Sequence, residues 1–255
     1  MMNISHKDHH NDQEISDANR DWWDSDAQRY HNDHAAYLNG FHWCPEMLPE
    51  REAHLLGDIS GLNVLEIGCG SAPCSRWLFD NYDAFVTGFD LSMGMLRHSP
   101  TDVPLTQADA VNLPYKDSSF DIAFSAFGAF PFIENLGPVL KDIARCLKPH
   151  GKLVFSTNHP MRWIFPDDPT EIGLCAELSY FDRSYTERDK NGKITYAEFH
   201  RTMGDWIELL NASGFIIDRL IEPEWPTNLT ETWGQWSPLR GRIFPGTAIF
   251  VTHCR

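Results

Sequence analysis

The chain has 255 residues, of which 42% are hydrophobic and 13% aromatic, enough for one substantial globular domain with additions. Its formal net charge of −15 argues against a nucleic-acid partner, because proteins that grip phosphates use clustered Lys and Arg. No apolar run reaches the length of a membrane span, and the amino terminus has no apolar signal region. We therefore expect a cytoplasmic protein with no membrane partner.

The six cysteines lie at positions 44, 69, 74, 146, 175 and 254 and form no C-x-x-C pair. This scatter is typical of reduced thiols and of neither a disulfide framework nor a zinc site. The sequence therefore predicts no metal site.

The amino-terminal part is predicted to be a polar tail followed by helices. Residues 1–17 are predicted to be disordered, because they hold few apolar side chains to bury. From Ala18 a stripe with helical spacing predicts a helix. Its members are Trp23, Ala27, Tyr30, His34 and Tyr37. The stripe has two interpretations, ordinary core packing or the inner face of a lid. Pro49 begins a second predicted helix, which ends at Gly57.

The stretch from Asn63 to Asp90 predicts a strand, a glycine turn, a helix and a second strand. An apolar run follows Asn63 and stops at Gly68, as in a parallel strand that is buried on both faces. Gly68 and Gly70 remove two side chains from the turn, so backbone amides can approach a ligand in front of the next helix. Asp90, 20 residues after Gly70, lies where it can accept hydrogen bonds from both hydroxyls of a ribose.

A glycine turn followed by an acid at this distance suits a dinucleotide or another adenosyl cofactor. Pro73 stands where the G-x-G-x-x-G fingerprint of dinucleotide sites needs its third glycine. The residues favour the other adenosyl cofactor and leave a nicotinamide-dependent oxidoreductase as an alternative.

Beyond Asp90, strands and helices continue to alternate, which indicates a doubly wound α/β fold. The predicted strands are 105–108, 122–125, 152–156, 215–220 and 247–252. A short helix follows Ser92. The next helix carries Val139 and Leu147 and is ended by Pro149-His150-Gly151, and a capping box at Thr202 opens the last one.

Two segments depart from this alternation. Residues 160–200 contain two alternating stretches around Asn191-Gly192, which predict a hairpin, and we interpret them as an insertion that roofs the active site. Residues 223–245 are too proline-rich for regular structure and are expected to form a second wall of a substrate pocket.

Several motifs together resemble one enzyme family. They are Glu66-x-Gly68-x-Gly70, Asp109-Ala110, Leu113-Pro114-Tyr115, the run from Ser119 to Ser125, and Leu147-Lys148-Pro149-His150-Gly151. This pattern resembles the Rossmann-like (class I) S-adenosylmethionine-dependent methyltransferases of small-molecule type, closely over residues 61–160. The resemblance implies a doubly wound, mostly parallel seven-stranded sheet with an antiparallel last strand. It also implies a methyltransferase domain over 61–255 with a substrate cap at 160–200, and a helical lid over 18–60.

The resemblance also implies a cofactor site for S-adenosylmethionine and its product S-adenosylhomocysteine. Glu66 to Gly70 would support the methionine end, Asp90 the ribose, and Asp109 with the amide of Ala110 the adenine. The expected cofactor-binding residues are Tyr30, Glu66, Gly68, Cys69, Gly70, Asp90, Leu91, Asp109, Ala110 and Ser125.

Catalysis and the acceptor are less constrained by the sequence. Methyl transfer needs a general base only when the acceptor is protonated at neutral pH, and His159 and His200 are the candidate bases. Aromatic side chains are expected to form the substrate pocket, namely Phe127, Trp163, Trp225 and Trp233. They favour an apolar or ring-bearing small molecule, although Arg162, Arg240 and Arg242 offer an alternative site for a carboxylate or phosphate.

The sequence thus predicts a methyltransferase that transfers a methyl group to an O, N or C atom of a small molecule, as a monomer or homodimer. A non-catalytic S-adenosylmethionine-binding module is the second alternative, since fold resemblance alone does not establish catalysis.

Overall fold

A seven-stranded sheet forms the body of the computed structural model, which describes residues 12–99 and 102–255. The strands are β1 Asn63–Ile67, β2 Phe85–Asp90, β3 Leu105–Gln107, β4 Phe120–Ser125, β5 Leu147–Asn158, β6 Ser184–Arg188, β7 Ile194–Phe199, β8 Phe215–Ile221 and β9 Thr247–Cys254. The helices are α1 Asp12–Asp33, α2 Glu50–Ala53, α3 Pro73–Asn81, α4 Met93–Leu96, α5 Leu136–Cys146, α6 Met203–Ala212 and α7 Pro238–Gly241. Three short 3-10 helices, η1 Phe130–Phe132, η2 Pro160–Ile164 and η3 Glu171–Leu174, complete the elements.

The strand order in the sheet is β3-β2-β1-β4-β5-β9-β8, and β6 pairs with β7 in a separate hairpin. The first five strands of this order are parallel, whereas β9 is antiparallel to both β5 and β8. This topology confirms the predicted doubly wound, mostly parallel sheet with an antiparallel last strand. Because the carboxyl ends of β1, β2 and β4 meet at one edge, the turns that follow them can form a common site.

The central strands are buried on both faces, which explains their nearly continuous apolar sequence. Leu65 of β1 packs in a layer with α5 and α6, where Leu140 and Trp206 are buried. Val64, its neighbour, packs in the opposite layer with Trp43 and Leu78. The sheet is therefore held rigidly between two apolar layers.

Residues 12–17 belong to helix α1, so the prediction that they are disordered is wrong. The remainder of the predicted tail lies outside the described residues. The reason is tertiary packing, which polar composition does not reveal. Ile15 and Ala18 are buried against the β6–β7 hairpin, together with Ile194 and Phe199. The hairpin itself forms as predicted.

Asn19 joins α1 to this hairpin. Its side-chain amide donates to the carbonyls of Ala197 (3.1 Å) and Phe132 (3.3 Å), and its Oδ1 accepts from the N–H of Ala197 (2.9 Å). Asn19 thereby satisfies the outward backbone groups of an edge strand, as a neighbouring strand would.

Two other predicted elements end differently in the structure. Helix α2 stops at Ala53 instead of continuing to Gly57, because His54 is left-handed (φ 47°) and the Glu50 carboxylate accepts from the N–H groups of Leu55 and Leu56.

Leu147 begins β5 instead of ending α5, since it pairs with Phe120. Residues 148–151 bulge out opposite Asp121, whose carboxylate is paired with Lys148 (2.8 Å), before the strand resumes at Lys152. The segment 223–245 also contains regular structure, namely the one-turn helix α7 and a bridge between Trp233 and Trp236.

None of the helices in the described part of the chain is both long and apolar enough to cross a membrane.

We predict that Asn19→Ala lowers the free energy of unfolding by about 2–3 kcal/mol, because it leaves buried backbone groups of Ala197 without partners. Asn32→Ala is the matched control: Asn32 is an exposed asparagine on the same helix, bonded only to Gln28, and its loss should cost less than about 0.5 kcal/mol. Urea unfolding measures both values. Equal effects of the two variants would contradict the role given to Asn19.

Candidate active site

A large cavity opens at the carboxyl edge of the sheet, between the sheet and α1. It encloses about 1000 Å³ of space free of protein atoms, including its mouth, a size typical of ligand sites. Its walls come from the turns after β1, β2, β3 and β4 and from the inner face of α1.

The turn after β1 brings bare backbone to the cavity. Gly68 and Gly70 both have positive φ, 65° and 56°. A Cβ on Gly68 would lie 2.8 Å from the Cβ and N of Ala129, and one on Gly128 would lie 2.7 Å from the carbonyl oxygen of Gly68. The turns after β1 and β4 therefore pack backbone against backbone, and side chains at these glycines would push them apart. Cys69 lies between the two glycines and is buried.

Asp90 ties the turn after β1 to the turn after β2. Its Oδ2 accepts from the N–H of Gly70 (2.7 Å) and its Oδ1 from the N–H of Ser92 (2.8 Å). Burial is the main reason that the pKa of Asp90 is raised to about 6. The carboxyl group lines the cavity and is therefore available to accept further hydrogen bonds there.

Glu66 is a second acid in the cavity wall, 2% exposed. Its Oε2 accepts from the backbone N–H of Ser75 (2.9 Å) and from the Ser75 hydroxyl (2.5 Å), in the first turn of α3. Burial raises the pKa of Glu66 to about 7. The amino terminus of α3 stabilises the ionised form.

The inner face of α1 and the residues just after it supply aromatic walls. Trp23, Tyr30 and Tyr37 all line the cavity, which fits the lid interpretation of the predicted stripe. The Trp23 and Tyr30 rings pack edge to face at 5.6 Å. Burial raises the pKa of Tyr37 well above its usual value, and its hydroxyl has no hydrogen-bond partner among the described residues.

Asp109, Ala110 and Leu91 line the end of the cavity beyond Asp90. The Asp109 carboxylate accepts from the N–H of Val111 (3.0 Å), which orders the turn after β3. Met95 also lines the cavity. Nine of the ten residues expected to bind a cofactor thus line one cavity: Tyr30, Glu66, Gly68, Cys69, Gly70, Asp90, Leu91, Asp109 and Ala110.

Ser125, the tenth, does not line the cavity. Its hydroxyl is buried and donates to the carbonyl oxygen of Ile67 (2.8 Å), so it joins β4 to β1 below the site. Phe127, two residues later, does line the cavity. It adopts a positive φ of 56°, and its N–H donates to Ser156 Oγ (2.7 Å).

Both histidines that were considered as general bases lie outside the lining of the main cavity. His159 Nε2 bonds to Glu222 (2.7 Å), and its Nδ1 accepts from the N–H of Met161, so it caps η2. His200 stacks on Trp163 and bonds to the carbonyl of Tyr180 (3.0 Å), and burial lowers its pKa to about 4. Both imidazoles are thus bonded to other parts of the fold and stabilise it.

The predicted tryptophans of the substrate pocket are also displaced from the main cavity. Trp163 lines a small pocket with His200, and Trp225 lines another and donates to the carbonyl of Leu229 (2.9 Å). Trp233 packs against Tyr37, with the ring centroids 4.7 Å apart, and does not itself line the cavity. Of the four predicted substrate residues, Phe127 alone is in the lining.

The β6–β7 hairpin does not roof the cavity directly. None of its residues lines the cavity; it supports α1, whose residues do. Asn19, Phe132 and Ile133 also line the cavity, and no local sequence pattern marks them as site residues. Phe132 and Ile133 follow β4 in an apolar run, which by itself predicts packing in the hydrophobic core.

Comparisons with known proteins identify the fold and its family. Residues 65–155 match the family model described as a methyltransferase domain. The structure is similar to that of an S-adenosylmethionine-dependent methyltransferase from Mesorhizobium loti, with a TM-score of 0.63 and 25% sequence identity, over 79% of this chain and 94% of that one.

Two named relatives match the central part of the chain. A demethylmenaquinone methyltransferase of Corynebacterium kroppenstedtii is 38% identical over 46% of this chain and 51% of its own length. A malonyl-[acyl-carrier protein] O-methyltransferase of Pseudescherichia vulneris is 36% identical over 40% of this chain and 41% of its own. The chain thus spans about half or less of the length of these relatives. The family model and the structural similarity agree: residues 65–155 form a methyltransferase domain, and the chain has the fold of the class I S-adenosylmethionine-dependent methyltransferases.

Proposed function

We propose that the main cavity binds S-adenosylmethionine and that the protein transfers its methyl group to a small molecule. The observation that carries this proposal is one cavity in which Glu66, Asp90 and Asp109 lie in order along the sheet edge, beneath the aromatic face of α1. The family uses this cofactor. The residues fit it, because two positive-φ glycines expose backbone where a side chain would clash.

Each part of the cofactor has a group of suitable chemistry. Asp90 would accept from the two ribose hydroxyls, and Asp109 would accept from the adenine amine. Glu66 and the Gly68–Gly70 backbone would hold the methionine end. When bound, the sulfonium supplies the reactive methyl group. The protein's own contribution is to orient the acceptor and exclude water, which α1 and its aromatic side chains are placed to do.

The acceptor is proposed to be an apolar or ring-bearing small molecule. Trp23, Phe127 and Phe132 contribute apolar aromatic surface to the lining, in addition to the three acids. No histidine lines the cavity in the part of the chain that the structure describes, which favours an acceptor that is nucleophilic without a histidine base. The names of the relatives, which act on demethylmenaquinone and on malonyl-acyl-carrier protein, support acceptors outside the nucleic acids. The net charge of −15 supports the same conclusion.

Asp90→Ala should weaken S-adenosylmethionine binding at least tenfold, about 1.4 kcal/mol, because the hydroxyl acceptor and the support of Gly70 are both lost. Asp83→Asn is the matched control, an exposed acid just before β2, at the end of the strand remote from the cavity, and should leave the dissociation constant unchanged. Calorimetric titration measures both. Unchanged affinity in the Asp90 variant would refute this placement of the ribose.

Binding should also depend on pH. The Asp90 pKa of about 6 in the ligand-free protein means that the carboxyl is partly protonated in mild acid. Ribose hydroxyls donate to the ionised form, so affinity should rise as pH increases from about 5 to about 7 and then level off. Glu66 and Cys69 also face Asp90, and Glu66 titrates nearby. The comparison with Asp90→Asn therefore isolates the contribution of Asp90, which that variant should remove.

5′-Methylthioadenosine is the appropriate ligand for this pH series, because it lacks the amino acid part that itself titrates. A pH profile that is the same in the wild type and in Asp90→Asn would contradict the assignment.

Catalysis is tested by incubating the protein with S-adenosylmethionine and a panel of quinols, phenols, amines and carboxylic acids. We expect stoichiometric formation of S-adenosylhomocysteine and of an acceptor heavier by one methylene, measured by mass spectrometry. Asp90→Ala should lose this turnover. Tight cofactor binding without turnover across the panel would instead favour the non-catalytic binding module.

A further inference from the structure

We infer that Asp24 of α1 is a positioning residue that latches this helix onto the ribose acid Asp90 through Ser92. The inference deepens the proposed function and rests on it, since it concerns the closing of the same cavity over the cofactor.

Asp24 of α1 forms hydrogen bonds directly to α4. Its Oδ1 accepts from the Ser92 hydroxyl (2.6 Å) and from the N–H of Gly94 (2.6 Å). Both donors belong to the amino-terminal end of α4, where backbone N–H groups otherwise have no helical partners. One carboxylate oxygen therefore caps α4 from a separate helix.

The approach of the two helices requires a glycine at this point. A Cβ on Gly94 would lie 2.7 Å from the Cα of Asp24 and 2.8 Å from its carbonyl oxygen. Backbone contact this close fixes α1 at a defined distance from α4. The glycine thus lets the short Asp24 side chain reach Ser92 and Gly94, and the latch needs both the glycine and the carboxylate.

Ser92 connects the latch to the ligand site. It is fully buried, its hydroxyl accepts from the N–H of Met95 (3.0 Å), and its own N–H donates to Asp90 (2.8 Å). Asp90 in turn accepts from Gly70. A continuous chain of hydrogen bonds thus runs from the helix that covers the cavity, through Ser92 and Asp90, to the glycine turn.

The charge of Asp24 also acts on Asp90. Asp24 is one cause of the raised pKa of Asp90, after burial. The other titratable groups that face Asp90 are Glu66 of β1 and Cys69 of the turn. Removing the charge of Asp24 while keeping its Oδ1 should therefore lower the Asp90 pKa without opening the latch.

Two substitutions separate these effects. Asp24→Ala removes the acceptor, so S-adenosylhomocysteine should dissociate three- to tenfold faster, as followed by tryptophan fluorescence because Trp23 lines the cavity. Asp24→Asn keeps an acceptor oxygen, so the dissociation rate should change less than twofold. In this variant the midpoint of the pH dependence of binding should move to lower pH, which a merely structural residue would not cause.

Asp21→Asn is the matched control, because Asp21 is an exposed acid on the same helix that pairs with Arg20 at 3.7 Å. It should change neither the dissociation rate nor the pH midpoint. An unchanged dissociation rate in Asp24→Ala, or an unchanged pH midpoint in Asp24→Asn, would overturn the inference. If Asp24→Ala does not fold, the pH midpoint of binding in Asp24→Asn still tests the inference.

The proposed function and the Asp24 latch can be tested independently of each other. If the wild-type protein binds no S-adenosylhomocysteine, the proposed function fails, and the latch is then tested in the ligand-free protein. Amide hydrogen exchange of α1 should be faster in Asp24→Ala than in Asp21→Asn; equal exchange would overturn the latch.

Discussion

The carboxylate of Asp90 holds the site together, because it bridges the N–H of Gly70 after β1 and the N–H of Ser92 after β2. The parallel sheet places these two turns side by side, and the absence of side chains at Gly68 and Gly70 lets the backbone approach the cavity. Burial raises the pKa of Asp90 to about 6, so the carboxyl is mostly ionised at neutral pH and can accept hydrogen bonds from a ligand. The order of the two turns and the capacity to accept ligand hydroxyls thus depend on one residue.

The part of the site that rests on the sheet could be predicted from the sequence. Strand ends are marked by local patterns, namely apolar runs that stop at Gly68, Asp90 and Asp109, and the order of parallel strands then brings these residues to one edge. Helical spacing also predicts that Trp23 and Tyr30 share one face of α1, although it leaves open whether that face packs on the core or covers a cavity.

The rest depends on long-range packing that local patterns do not reveal. His159 follows β5 at the ligand-facing edge of the sheet, yet it bonds to Glu222, 63 residues away. His200 follows β7 of the separate hairpin and bonds to the Tyr180 carbonyl. Ser125 lies two residues before Phe127, which lines the cavity, but its own hydroxyl donates to the carbonyl oxygen of Ile67. Likewise, the hairpin at 184–199 supports α1 through Asn19 and does not cover the ligand. Local sequence patterns do not determine which of two possible partners such a polar side chain takes.

The most direct test of this account is calorimetric titration of the purified protein with four ligands: S-adenosylmethionine, S-adenosylhomocysteine, and the oxidised and reduced nicotinamide dinucleotides. The account predicts that the two sulfur-containing ligands bind with micromolar affinity and that neither dinucleotide binds measurably. Binding of a dinucleotide without the sulfur-containing ligands would contradict the assignment of Gly68, Gly70 and Asp90 to this cofactor.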